Sequence, residues 1–167
     1  MQTRTAIHAI FDCSLERAFK SPMLCDISKV HSGYGFMPRV THCTEDEHWG
    51  KPGGSRKCFM EKSIFFKGGE ALLDTVIERE ENNYWIIEVS DFKLWMGGFT
   101  KFRGEWITTP QDDGKIRIDY IYTLFSDSIF LYPFNWLFAK TIWKIYMKHV
   151  LENVRQLAYR NAPYLQD

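Results

Sequence analysis

Pro133 to Arg160, PFNWLFAKTIWKIYMKHVLENVRQLAYR, decides the fold. At helical spacing, Trp136, Ala139, Ile142, Trp143, Tyr146, Met147, Val150, Val154, Leu157 and Ala158 share one face, with Lys144, Lys148, Glu152 and Arg155 opposite them. Pro133 suits a first helical position, and Asn161 followed by Pro163 supplies a stop. At the rise of an α-helix the segment runs to roughly 42 Å. Its apolar stripe needs an apolar partner, and nearly everything before it reads as strand.

The opening run Thr3 to Phe11 alternates as a β-strand, with Thr5, Ile7, Ala9 and Phe11 on one face. Ser14 N-caps a short helix, SLERAFK, which Pro22 is expected to stop, and Met23 to Val30 reads as a second short helix ended by Gly33 and Gly35. Strands are then expected over Phe36–His48, Arg56–Phe66, Glu70–Arg79, Tyr84–Phe92, Phe99–Thr109 and Lys115–Phe125, separated by turn-length breaks at WGKPGGS, KGG, NN, MGG and PQDDG. In Glu70–Arg79 the charges at Asp74 and Glu78 select the odd positions, Ala71, Leu73, Thr75 and Ile77, as the inward set. Gly104, between Phe102 and Trp106, reads as a bulge or a bend in a curved strand.

Short turns between consecutive strands force antiparallel pairing. The expected architecture is therefore α+β: a curved seven-stranded antiparallel sheet gripping a long C-terminal helix, with two short helices after the first strand. No linker, repeat or low-complexity stretch divides residues 1–167, so a single domain is expected.

Lysine plus arginine and aspartate plus glutamate each total 21, which removes the basic bias of a nucleic-acid binder. Aromatic residues make up 16%, a high share that favours an aromatic-lined pocket. The apolar run Ile129 to Met147 is broken by Pro133, Asn135, Lys140 and Lys144, which argues against stable membrane insertion. Peripheral contact through Phe130, Leu131, Tyr132 and Phe134 stays open. Cys13, Cys25, Cys43 and Cys58 lack CxxC spacing, and neither a secretory leader nor a glycosylation sequon is evident. Reduced thiols and a cytoplasmic location are therefore expected.

Strand, two short helices, hairpin-linked strands and a closing helix together resemble the helix-grip (SRPBCC) superfamily, which includes START lipid-transfer domains, polyketide cyclases and the major pollen-allergen class. The local tokens are SLERAFK after the first strand, the turn WGKPGGS and the closing WLFAKTIWKIYMKHVLENVRQLA. The resemblance implies an interior that holds a small hydrophobic, lipid-like or aromatic ligand. On the inward faces Trp85, Phe102, Trp106, Tyr120, Tyr122, Trp143, Tyr146 and Met147 converge, with Arg56 and His42 as polar candidates. A polyketide cyclase or aromatase-like enzyme would use the same cavity, with Arg56, His42, Asp91 and Tyr120 as the acid/base groups to inspect. A third reading is a protein-interaction module presenting Phe130 to Phe134.

No nucleophile elbow, P-loop or zinc motif is present, so no catalytic residue, metal or cofactor is assigned. The loop GKPGGS precedes a strand, where a phosphate loop would precede a helix, and His31, His42, Cys43 and His48 lack ligand spacing. The identity of the ligand and the oligomeric state are not legible at this level.

Overall fold

The computed structural model describes residues 1–64, 66–93 and 96–165. Seven strands form one antiparallel sheet in the order β1-β7-β6-β5-β4-β3-β2: β1 (Gln2–Phe11), β2 (Val40–Cys43), β3 (Ser55–Met60), β4 (Gly69–Glu80), β5 (Tyr84–Ser90), β6 (Phe99–Pro110) and β7 (Ile116–Ser126). β1 and β2 lie at opposite edges of the sheet. The two short helices α1 (Leu15–Leu24) and α2 (Ile27–Val30) therefore carry the chain from one edge to the other, after which every connection is a hairpin back toward β1.

Two strands are shorter than their alternation suggests. β2 keeps only Val40 to Cys43, because Tyr34 and Met37 close a small turn of their own and Thr44 onward follows a loop. β3 ends at Met60, where Ser63 and Phe66 pair locally; Phe65 lies outside the described residues.

Ala71 is fully buried as expected, but from Leu72 onward β4 presents the face opposite to the one expected. Leu72, Asp74 and Val76 point inward and Ile77 is exposed. The reason is Arg56, which sits directly across from Asp74 on β3 with its guanidinium 3.4 Å from the carboxylate. A carboxylate with a cation as cross-strand partner tolerates burial that an isolated one would not.

Gly104 is neither at a bulge nor at a register shift. It stands opposite Tyr122, and a Cβ there would come within 2.9 Å of both the Tyr122 ring and Ile87. The glycine leaves space for that ring to lie across the strand.

α1 runs through Pro22, which was expected to end it. Proline has no N–H to return to the carbonyl four residues back, which here is Ala18. The indole N–H of Trp106 donates to that oxygen at 3.0 Å, while Trp85 donates to Phe19 and Trp49 to Met23. Indole donors from β5, β6 and the β2–β3 loop thus replace the helical bond lost at Pro22 and satisfy further carbonyls along the same helix.

The C-terminal helix is continuous but not uniform. α3 (Tyr132–Phe138) passes through a π-helical turn (Ala139–Trp143) into α4 (Lys144–Tyr159). The wide turn shifts the phase of everything before it. Trp136, expected inward, is 48% exposed, and the buried line runs through Asn135, Ala139 and Trp143. Asn135 donates to Ser126 at 2.7 Å, and Thr5 of β1 donates to the Ala139 carbonyl at 2.9 Å.

Cys43 and Cys58 face each other across β2 and β3 and form a disulfide, which corrects the expectation of reduced thiols at these two positions. Cys13 and Cys25 are free. Among the described residues no helix is long and apolar enough to cross a membrane.

Candidate functional site

The space between sheet and helix is filled at one end and open at the other. At the α1 end Phe11, Phe19, Trp85 and Trp106 are essentially inaccessible, and Trp85 stacks on Phe19 with ring centroids 5.0 Å apart. The remaining gap there is about 30 Å³, far too small for an organic ligand, among Trp85, Trp106, Tyr120, Tyr122 and Val150.

Toward the other end two cavities adjoin. An inner chamber of about 100 Å³ is walled by Phe102, Tyr122, Trp143 and Tyr146, with Ile87, Val89 and Leu72 from the sheet and His31 and Met37 from the loop after α2. Beyond it lies an outer pocket of about 380 Å³ formed by Phe36, Phe99, Phe134, Phe138 and Ile142. Met37, Pro38 and Met96 line both, so the two are separated chiefly by side chains. Methionine adapts its shape readily, so this partition can yield to a ligand.

The chamber is apolar apart from one polar side. Asp74 lies in its wall, and Arg56, stacked 3.5 Å over the Trp49 ring, supports Asp74 from behind. Burial raises the Asp74 carboxyl above the ordinary range, against the opposing pull of Arg56, and burial likewise lowers Arg56. The Tyr146 hydroxyl hydrogen-bonds His31 Nδ1 at 2.8 Å. Desolvation, followed by repulsion from Arg56, lowers His31 to about 4, so its ring is neutral at physiological pH. Burial raises the Tyr120, Tyr122 and Tyr146 phenols well above their usual range, which keeps them protonated.

Three buried polar atoms here have no hydrogen-bond partner among the described residues: Asp74 Oδ1, Arg56 Nε and Trp143 Nε1. An acceptor and a donor therefore stand unmatched in residues of the chamber wall, a costly arrangement unless another molecule supplies the complements.

Of the residues singled out in the sequence, Phe102, Tyr122, Trp143 and Tyr146 line the inner chamber. Trp85, Trp106 and Tyr120 belong to the filled end. Met147 is buried on the inner side of α4 without lining either cavity, and Arg56 reaches the site only through Asp74. His42 is exposed on β2, stacked on Phe59 at 4.6 Å and bordering a polar cleft outside the grip. Asp91 pairs with Lys93 at the surface. Sequence reasoning missed His31 and Asp74, the first because it sits in a loop and the second because its charge assigned it to solvent.

The chain matches no family model and no characterised protein by sequence. By structure it is similar to Ara h 8.0201, with TM-score 0.66 and 11% identity over 96% of this chain and 100% of that one. A Staphylococcus aureus protein of unknown function is similar with TM-score 0.71 and 12% identity over 96% of each chain. The di-domain ARO/CYC protein StfQ of the steffimycin biosynthetic pathway gives TM-score 0.68 and 8% identity over 96% of this chain, which spans 51% of that one. The fold is the helix-grip fold.

Proposed function

We propose that this protein binds a small, largely apolar molecule between its sheet and its C-terminal helix, with the ligand's polar group at the inner chamber and its apolar body in the outer pocket. The observation that carries this reading is the pair of adjoining cavities separated by Met37, Pro38 and Met96. Their volumes fit together into the range of small-molecule sites, with few polar groups among many apolar ones. Apolar burial supplies the affinity, at roughly 25 cal/mol per Å², and the Asp74 side of the chamber sets the orientation.

Native mass spectrometry of freshly purified protein, paired with uptake of a neutral solvatochromic dye such as Nile red, tests the reading. Uptake that falls in Trp143→Ala while the variant stays folded supports it. A folded wild-type protein that carries no small molecule and takes up no dye overturns it.

A reaction of the aromatase or cyclase kind in the same cavity is the second reading, favoured by the His31–Tyr146 hydrogen bond in the chamber wall. It requires turnover that disappears in Tyr146→Phe while binding persists.

A further inference from the structure

We propose that the face around the outer pocket docks on anionic lipid bilayers. This rests on surface residues and does not depend on what the cavity holds. Phe130 is 91% exposed, Ile64 87% and Ile129 69%, and Phe134, Trp136 and Leu137 are about half exposed. Large apolar side chains exposed singly are ordinary, whereas several on one face mark a binding surface.

Ile64, Ile129, Phe130 and Phe134 gather on one face. Ser63, Gly97, Phe134 and Ile142 all line the outer pocket, which places the loop carrying Ser63 and Ile64, the turn before β6 and α3 around a common rim. The loop carrying Ile129 and Phe130 lies on that turn, because Leu131 would meet a Cβ added at Gly98 at 3.1 Å. Phe134 belongs to both the pocket's lining and the apolar rim, and docking would set the pocket's opening toward the acyl region.

Charge selects the occupant. Asp127 is the one exposed acidic residue on the loop that carries Ile129 and Phe130, and exposed Lys62 and Lys67 flank Ile64. On the same loop, Glu61 is already paired with Arg39. Apolar and aromatic tips with Lys62 and Lys67 beside them, on a chain of zero net charge, match an anionic lipid surface with an acyl interior beneath it. A second copy of the chain would instead bring like charges together around the same rim.

Co-sedimentation of the full chain with phosphatidylcholine vesicles, with and without phosphatidylglycerol, tests this. The protein is expected to pellet with the phosphatidylglycerol vesicles and to be released as salt rises. Ile129→Ser combined with Phe130→Ser is expected to lower partitioning at least about tenfold, and Ile64→Ser, on a separate loop, to lower it less. All three positions are exposed, and an unchanged thermal transition establishes that the variants fold. Wild-type protein that stays in the supernatant overturns the proposal, as does a double variant that pellets like the wild type. Concentration-dependent self-association that is lost in the double variant, without vesicle binding, overturns it in favour of a second copy.

Discussion

The two ends of the grip use the same residue types to opposite effect. At the α1 end, Trp49, Trp85 and Trp106 each give their indole N–H to a carbonyl of one helix, and their rings fill the interior. At the open end Trp143 packs edge-on against Phe102 and Tyr122, yet its N–H meets no acceptor among the described residues. A tryptophan whose donor is matched internally serves the fold, and one whose donor is orphaned beside a cavity is available to a ligand. Composition counts both alike. The pairing of the N–H separates them.

The largest expected effect lies behind the open end. Arg56→Met leaves Asp74 as an uncompensated buried carboxylate and is expected to cost about 3–5 kcal/mol in urea-induced unfolding. Replacing both partners by apolar residues is expected to recover much of that loss. If the double variant is no more stable than Arg56→Met, the pair is not what holds this wall.

Trp106→Phe tests the filled end. It keeps an aromatic ring but strips the Ala18 carbonyl of the donor that substitutes for the missing Pro22 N–H, and it leaves a gap among inaccessible rings. A loss of about 2–4 kcal/mol is expected, with dye uptake per folded molecule unchanged. A stability change below about 1 kcal/mol would mean that α1 does not depend on this donor.

Between these residues lies the limit of what the sequence shows. Element order, the alternation of β1, β6 and β7, and the closing helix were legible because hydrophobic period is a local property. So were Phe102, Tyr122, Trp143 and Tyr146, which continue those periods into the cavity. Asp74 was not, because its inward direction depends on Arg56 across the sheet, eighteen residues away in the chain. Trp136 was misplaced because nothing in the helical period announces a π turn three residues later. The filled and open ends could not be told apart, since both are rich in inward aromatics and only the path of α1 decides which are covered. Pro22 inside an apolar helix, together with inward tryptophans, is the sequence signal for an indole that replaces the missing donor.

The His31 ring sharpens the comparison through pH. Its value is about 4 in the folded protein and near 6.5 when unfolded, so the folded state favours the neutral ring. The resulting stability is fully present above pH 6.5 and is lost as pH falls from there toward 4, on the order of 3 kcal/mol in all. Asp74, shifted upward, works in the opposite direction over part of this window, so the informative quantity is the difference from a variant. His31→Gln keeps Asp74 and is expected to lose less stability than the wild type between pH 7 and pH 4. Parallel pH profiles would show that the ring is not held in a desolvated wall.

Trp143→Phe carries the smallest stability effect and bears most directly on the difference between the ends. The substitution deletes an N–H that has no partner among the described residues, which relieves a desolvation penalty, and it trims a ring in the wall of a chamber that is already open. These effects oppose each other, so stability is expected to change by less than about 1 kcal/mol. Binding should respond according to the probe. 2-Naphthol, which can accept the indole hydrogen bond, should bind several-fold more weakly, up to about tenfold, whereas naphthalene, which cannot, should change by less than about twofold. If both probes weaken alike, the ring contributes only area. If stability falls as far as in Trp106→Phe, Trp143 belongs with the structural tryptophans after all, and the contrast between the two ends disappears.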